Sequence, residues 1–452
     1  VHKDVVIIGG GPAGFNCAKT VKKLFPKKSV LVITDREDSQ IPCAVPYVLS
    51  GMLKPEENRH PLKKLEDLGI EVLIGRATAI DSYKGKVILE DGNSLSYEKL
   101  VIATGWAPNR LHAGNMELEG IFYPSVITQE VKQTAERIKK AEKILIVGAG
   151  LIGLNLSGLL KSNFPDKRVF LVEARDFLAN GIFSKEVEED IEKELERLGV
   201  ELIKNNAVLE FEGKERVESA VLKDRRIEVD TCFISIGFRP NTSLAMEAGI
   251  ETDHKGAIIV DSFMRTSVEG ILACGDCVQH RSAIDGKVIT AMFASVAGRD
   301  GRVAGMNIEG PEVKLEKVVP SGITQVGSLF VGFAGYTGRI LKENSIAYSS
   351  TSSSATDGHP SALKPKEFKV KLYFDKRGKI IGGEVVGRSK SVSYLVELLK
   401  IFIFERRHAE EIVSLTRNAF PLLTPSPLSE PISECAVEFV KNWSFAGESG
   451  EG

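Results

Sequence analysis

The sequence predicts an α/β protein built from two Rossmann-like dinucleotide-binding units and a smaller α+β unit toward its C-terminal end. Three observations carry this expectation. A glycine-rich turn, Gly9-Gly10-Gly11-Pro12-Ala13-Gly14, follows the apolar run Asp4–Ile8 and opens a helical stretch, Phe15–Leu24. The same grammar returns where Gly148-Ala149-Gly150-Leu151-Ile152-Gly153 follows Lys143–Val147 and opens a helix from Leu154. From about Val318 the pattern changes to strands over Phe368–Phe374 and Ile380–Val386 and helices over Val392–Arg406 and Ser433–Trp443.

Each glycine of such a turn has a physical task. The first permits a tight bend, the second lets the backbone approach a pyrophosphate, and the third lets helix and strand pack closely. The helix N-terminus adds partial positive charge. A lone motif of this kind is weak evidence. Here each turn lies between a strand and a helix, and an acid closes the next strand about twenty residues on, as the fingerprint requires. Those acids are Asp35, after Ser29–Ile33, and Glu173, after Arg168–Val172. Both suit the hydroxyls of a ribose. A carboxylate at Glu173 also repels a 2′-phosphate, so NADH is expected over NADPH. Arg175, two residues on, keeps NADPH as the alternative.

Composition narrows the function classes. A chain of 452 residues exceeds one ordinary core, so two or three domains are expected. A net charge of -2 gives no basic field, which argues against a nucleic-acid partner. Apolar runs such as Val5–Ile8 and Ile144–Val147 are too short to span a bilayer, so no membrane partner is expected. The first strand starts almost at once, leaving no room for a signal peptide. Six dispersed cysteines do not form a secreted disulfide framework, and a reducing cytoplasm is the expected location. Only five glutamines accompany abundant Lys and Glu, a thermophile-like bias.

Between the glycine turns, Pro61–Gly105 reads as helix then strands. Beyond the second turn, Glu186–Leu198 reads as a charged amphipathic helix and Val208–Val229 as a β-meander. Ser349–Ser354, followed by Asp357-Gly358 and His359-Pro360, has turn chemistry and is expected to be a loop. Gly447–Gly452 reads as a frayed tail.

With three further motifs the chain resembles the flavoprotein disulfide reductases that carry two dinucleotide-binding domains, over essentially its whole length. Ala103-Thr104-Gly105 looks like the family's strand-end turn beside FAD. Ser235-Ile236-Gly237-Phe238-Arg239-Pro240-Asn241 looks like the stretch that leaves the NAD domain. Thr266-Ser267, followed by Gly270-Ile271-Leu272-Ala273-Cys274-Gly275-Asp276, looks like the second FAD motif, whose aspartate holds the ribitol chain. The resemblance implies FAD on the first glycine turn and NADH on the second. It implies an FAD-binding domain in two segments (1–112 and 246–316), an NAD(P)-binding domain (113–245) and a C-terminal dimerisation domain (317–446). In this family the last domain usually forms a homodimer and reaches the partner's active site. The cofactor-binding residues expected are Gly9, Gly11, Pro12, Ala13, Gly14, Asp35, Arg36, Ala77, Ala103, Thr104, Gly105, Gly275 and Asp276, with Gly148, Gly150, Leu151, Ile152, Gly153, Glu173 and Gly237.

Cys43 is the expected catalytic residue. It lies in Gln40-Ile41-Pro42-Cys43-Ala44-Val45-Pro46-Tyr47, about thirty residues past the first glycine turn, where this family places its redox cysteine. Pro46 in a first helical turn would put Cys43 at a helix N-terminus, where free amides and the dipole lower a thiol pKa. Dithiol members carry a Cys-x4-Cys pair here, but positions 38 and 48 are Asp and Val. The chain therefore resembles the single-cysteine branch: coenzyme A disulfide reductases, persulfide reductases, NADH oxidases and peroxidases. That implies electrons passing from NADH through FAD to Cys43 and on to a disulfide, persulfide, polysulfide or coenzyme A disulfide. The alternatives are an NADH oxidase or peroxidase, and an NADH:rubredoxin or ferredoxin reductase with Cys43 inert.

Several features depart from the branch. Pro12 and Ala13 stand where oxidase and peroxidase members commonly carry a histidine, and Asn155 stands where a glutamate is usual. Phe420-Pro421-Leu422-Leu423-Thr424-Pro425 matches neither known acid/base segment, so no general acid is named. Lys19, Lys22, Lys23, Lys27 and Lys28 lie where coenzyme A-using members bind phosphate, although a solvated lysine face is the plainer reading. Cys274, Cys277 and His280 have ligand-like spacing, but no second pair completes a tetrahedral set and no metal is expected.

Overall fold

The computed structural model of the chain describes residues 2–310, 312–359 and 364–448. The first glycine turn lies at the end of a seven-stranded sheet. Its parallel part runs in the order Glu71–Ile74, Val30–Thr34, His2–Ile8, Ser94–Ile102 and Ile271–Ala273. The long strand Ser94–Ile102 divides its outer edge. Its first residues pair antiparallel with Lys86–Leu89, and Leu100, Val101 and Ile102 pair parallel with Ile271–Ala273. A segment about 170 residues downstream thus returns to the first sheet. Val5, Val6 and Ile7 are wholly buried, as an apolar run without alternation should be when helices cover both faces.

The second glycine turn ends the middle strand of an all-parallel five-stranded sheet. The order is Val200–Ile203, Arg168–Val172, Lys143–Val147, Thr231–Ile234 and Ile121–Phe122. Both glycine-turn helices start inside their motifs, at Pro12 and Leu151, three residues earlier than the apolar pattern alone indicates. Gly11 and Gly150 are the capping residues, and a proline costs nothing in a first turn.

The C-terminal part is an antiparallel sheet in the order Ser321–Val326, Leu329–Gly335, Ile380–Gly387, Glu367–Phe374 and Ser349–Thr356. Helix Val392–Phe404 packs on it through Val392, Val396, Leu399, Phe402 and Ile403. Each such burial is worth roughly 1.5–3 kcal/mol. Ser349–Thr356 is a strand rather than the expected loop. Its pairing with Glu367–Phe374 runs unbroken from Ser349↔Phe374 to Thr356↔Glu367. Ladder hydrogen bonds and the buried Thr351, which donates to Cys435 O at 2.8 Å, override serine's weak strand preference. As an edge strand it keeps polar side chains outward. Asp357 and Gly358 form the bend after it, and Pro360 lies outside the described residues. The last helix is longer than expected, Pro431–Glu448, and starts where Glu430 accepts from Ser433 N at 2.7 Å. Gly447 and Glu448 are helical; 449–452 lie outside the described residues.

Helix Lys185–Leu198 fastens the second sheet's unit to the C-terminal sheet with buried carboxylates. Glu194 receives Arg388 Nη2 at 2.7 Å and Ser328 N at 3.1 Å. Glu188 faces Arg339 at 3.3 Å, and Ser184 N donates to Glu384 at 2.6 Å.

Candidate active site

The first glycine turn has the geometry its three glycines require. A Cβ on Gly14 would lie 1.9 Å from Gly9 O, whereas one on Gly11 would meet nothing within 4 Å. Gly11 therefore faces open space at a helix N-terminus. Pro12 and Ala13 form the helix's first turn. Gly275, at φ +86°, would put a Cβ 2.7 Å from Ala13 Cβ. That close approach brings Asp276 beside a turn more than 260 residues away in sequence. Asp276 Oδ1 is buried and has no protein hydrogen-bond partner. Burial pushes the Asp276 carboxyl up to about 6, His280 opposes the shift, and Asp300 adds to it. An open amide-rich cradle joined to an orphaned carboxylate oxygen fits a ligand with both a pyrophosphate and hydroxyl donors, as FAD has.

The remaining first-unit residues expected from the sequence lie at or just beyond strand ends of the same unit. Asp35 ends Val30–Thr34 and is bound by Arg36 Nε at 2.6 Å and Nη2 at 2.7 Å, which holds its carboxyl below the ordinary range. Ala77 starts strand Ala77–Asp81 and packs against the first core. Ala103 follows the long central strand, and Thr104 Oγ1 donates to Asn241 O at 2.5 Å. Gly105, at φ +70°, accepts from Asn241 N at 2.9 Å. Strands Trp106–Pro108 and Phe238–Pro240 pair antiparallel, and Gly237 O accepts from Asn109 N at 3.0 Å.

The second turn repeats the first. A Cβ on Gly153 would lie 2.0 Å from Gly148 O, and one on Gly150 would meet nothing within 4 Å. Leu151 and Ile152 open the helix. Glu173 accepts from Ala149 N at 2.9 Å and Arg175 N at 3.1 Å, so the acid is oriented by the turn itself. Arg175 lies over the Phe177 ring at 5.3 Å.

Cys43 senses the Asp276 charge from the first unit, and the helix that follows it packs on the helix of the second turn. Gln40 pairs with Arg59 as an isolated bridge, and its Nε2 donates to Thr128 Oγ1 at 2.9 Å. Asn58 Nδ2 donates to Ile41 O at 3.1 Å. Cys43 then sits in a 3-10 turn, Pro42–Ala44, followed by helix Val45–Leu49. That helix buries Val45, Pro46, Val48 and Leu49 and packs on helix Leu151–Asn163, which carries the second glycine turn. Cys43 is exposed, while Cys17, Cys232, Cys274, Cys277 and Cys435 are buried.

The expectation of a lowered Cys43 pKa fails. Although the residue is exposed, the protein around it desolvates the thiol and pushes its pKa up, and the Asp276 carboxylate adds to the rise. The following helix has only five residues, and a helix dipole contributes about 0.3–1 kcal/mol, less than one pKa unit. Desolvation acts on a scale of several units.

Other candidates resolve differently. Lys28 is paired with Glu98 at 3.1 Å and Glu309 at 2.5 Å, whereas Lys19, Lys23 and Lys27 are exposed. Asn155 Nδ2 donates to Gln325 O at 2.9 Å in the C-terminal sheet. Phe420, Leu422 and Leu423 are exposed. His280 is hydrogen-bonded to Asp300, while the buried Cys277 thiol, pushed up to about 11, points to Cys274 O at 3.3 Å. The His280–Asp300 pair escaped sequence reading, because nothing local marks two residues twenty apart as partners.

Residues 3–301 match the family model described as pyridine nucleotide-disulphide oxidoreductase. An NADH oxidase of Methanocaldococcus jannaschii is 31% identical over 97% of this chain and 99% of its own. A CoA-dependent NAD(P)H sulfur oxidoreductase of Pyrococcus furiosus is 33% identical over 74% of this chain and 76% of its own. Among solved structures, a NAD-dependent persulfide reductase from A. fulgidus superposes with a TM-score of 0.91 at 28% identity, covering 97% of this chain and 83% of that one.

Proposed function

The chain belongs to the pyridine nucleotide-disulphide oxidoreductase family, and from that premise we propose that it reduces a sulfur–sulfur bond at Cys43 with electrons from NADH. It is an FAD-dependent, NAD(P)H-dependent oxidoreductase of mixed α/β fold. The observation that carries the reading is the position of Cys43. It is the exposed cysteine of the six, set between the FAD cradle and the helix of the nucleotide turn.

The first glycine turn and Asp276 would hold FAD, with Asp35, Arg36 and Ala77 at its nucleotide end and Ala103-Thr104-Gly105 near its ring. The second turn, Glu173 and Gly237 would hold NADH. FAD, when bound, supplies the two-electron relay between nicotinamide and sulfur. The Cys43 thiolate attacks the substrate disulfide, forms a mixed disulfide and expels one thiolate, which takes a proton from solvent. Two electrons and one further proton then return Cys43 to a thiolate and release the second thiol. One cysteine suffices because the substrate brings the second sulfur. A raised pKa makes Cys43 a stronger nucleophile once deprotonated, at the cost of a smaller thiolate fraction.

The acceptor is proposed to be a persulfide, polysulfide or coenzyme A disulfide, a reading supported by the likeness to a CoA-dependent sulfur oxidoreductase, a coenzyme A polysulfide/persulfide reductase and a persulfide reductase. A second reading rests on the full-length match to the archaeal NADH oxidase: peroxide, formed from oxygen with two electrons from NADH and two protons, transfers one oxygen to the Cys43 thiolate and leaves hydroxide, giving a sulfenic acid. We read the four-part division (1–112, 113–245, 246–316, 317–446) as FAD, NAD(P), FAD and dimerisation segments. A homodimer is supported by Tyr394, Ile401, Phe404, Val437 and Trp443, apolar side chains left exposed on the C-terminal helices. Among the described residues no helix is long and apolar enough to cross a membrane. A reducing cytoplasm suits six free cysteines.

The test is an anaerobic NADH titration of holoenzyme pretreated with the sulfur substrate, wild type beside Cys43→Ser. Wild type is expected to take up about two more electrons per subunit, the content of one reducible sulfur bond. Equal uptake would sink the proposal.

A further inference from the structure

Asp276 and His280 line one recess, beside the segment that leads into helix Ala294–Met306. His280 is buried, and its Nε2–H donates to Asp300 Oδ2 at 2.7 Å. Asp300 is wholly buried on that helix. Its other oxygen accepts from Arg299 Nη2 at 2.9 Å and Nε at 3.2 Å. The rest of the helix's buried face is Ala, Gly and Val, so packing alone does not call for a carboxylate there. Burying one costs several kcal/mol unless it is paired, roughly the worth of a whole domain's margin.

The pair has a second carboxylate as neighbour. Asp276 Oδ1 is buried without a protein partner. Beyond the effect of burial, His280 draws the Asp276 carboxyl down and Asp300 pushes it up. Cys43 and Cys277 also sense Asp276 from their own segments. Arg239, Asp253 and Lys255 line the same recess. His280 and Asp300 are therefore bonded to each other and act in opposite senses on one unpaired oxygen donor set.

We propose that His280 is a positioning residue for the flavin: clamped on Asp300, its imidazole screens Asp276 from the Asp300 carboxylate and keeps Asp276 available as an acceptor for the FAD ribitol. The inference rests on the reading of Asp276 as a flavin ligand. Removing His280 alone takes away the group that draws the Asp276 carboxyl down and leaves Asp300 to push it up, so Asp276 takes up a proton at a higher pH. Removing Asp300 as well takes away the group that His280 screens.

The test is FAD retention by the purified holoenzyme, read by ultrafiltration and flavin fluorescence as the pH is lowered. Wild type is compared with His280→Leu, the His280→Leu/Asp300→Leu double variant, and Asp276→Asn. His280→Leu is expected to release FAD at a pH about one unit above wild type, a tenfold change in the ionisation equilibrium. The double variant is expected to recover most of that shift in the pH midpoint, whereas a packing defect would lower FAD retention at every pH. A wild-type profile for His280→Leu overturns the inference, as does a double variant no better than the single. If His280→Leu does not fold, His280→Gln keeps a donor to Asp300 without the imidazole. Its profile must still move toward higher pH, and an unmoved profile overturns the inference. Asp276→Asn separates the two readings. If it holds FAD as wild type does, the assignment of Asp276 fails first and the role of His280 falls with it.

Discussion

A Cβ at residue 9 would fall 2.1 Å from the carbonyl oxygen of Ala103. Only glycine fits there, and Gly9 also holds φ at +116°. The second unit repeats the relationship, with a Cβ at Gly148 falling 2.4 Å from Ser235 O. In each case the bend presses the glycine turn against the end of a neighbouring strand. Gly9→Ala must push Ala103-Thr104-Gly105 away from the turn, so purified protein is expected to lack flavin absorbance. Gly148→Ala is expected to keep its flavin and lose NADH binding by more than about tenfold, since even ~1.4 kcal/mol of lost binding energy has that effect. Flavin content and NADH titration check both. Tight NADH binding by Gly148→Ala would refute the assignment of the second turn.

Glu173 is tied to the second glycine turn by backbone hydrogen bonds, and the proposed function gives it the nucleotide ribose as well. It accepts two backbone N–H groups, from Ala149 and Arg175. Glu173→Ala removes both the orientation and the negative charge. NADH is expected to bind about tenfold more weakly, and the preference for NADH over NADPH to shrink. Steady-state KM values for the two nucleotides measure this, and an unchanged ratio would contradict it.

Two carboxylates of helix Lys185–Leu198 give the stability profile opposite slopes. Burial pushes Glu188 up to about 7, against the pull of Arg339 and Lys204. Its folded pKa thus exceeds its unfolded one, so the folded state binds more protons between about pH 4.5 and 7 and stability falls across that window as pH rises. For Glu194, burial opposes the guanidiniums of Arg197 and Arg388 and the donors of Ser328, but these win and hold its carboxyl well below the ordinary range. Its stabilisation is present above the unfolded pKa and is lost as pH falls. Glu188→Gln is expected to gain Tm relative to wild type on going from pH 5 to pH 8.5. Glu194→Gln is expected to lose Tm at both, and less near pH 4. Thermal melts across pH decide, and parallel curves for Glu188→Gln would contradict the account.

Alkylation reports on Cys43 selectively, because the other five cysteines are buried. In protein stripped of FAD, the iodoacetamide rate is expected to rise with pH to a midpoint above the ordinary thiol range, for the reasons of burial and the Asp276 charge. Asp276→Asn removes that charge and is expected to move the midpoint down. A midpoint insensitive to Asp276 would break the proposed link between the flavin carboxylate and the cysteine.

The parts of this protein written in local sequence were legible. Gly9, Gly14, Gly148 and Gly153 mark backbone positions that admit no side chain, and the strands before them are apolar because they are buried on both faces. Strand Ser349–Thr356 was not legible, since its serines become a strand through pairing with Glu367–Phe374, a partner that lies outside any local window. The direction of the Cys43 shift was hidden for the same reason. Pro42 and Pro46 indicate a helix start, but burial by distant segments and the charge of Asp276, 233 residues later, act on the thiol only once the chain has folded. The His280–Asp300 pair is likewise a tertiary contact between types that carry no motif.

The most direct test of the central claim is anaerobic turnover with NADH and coenzyme A disulfide or a polysulfide, comparing wild-type and Cys43→Ser holoenzymes. The account predicts that both enzymes bleach their flavin with NADH, while thiol or sulfide release by Cys43→Ser falls by a factor of about 100 or more, as loss of a covalent nucleophile entails. Sulfur-substrate turnover by Cys43→Ser at the wild-type rate would contradict it.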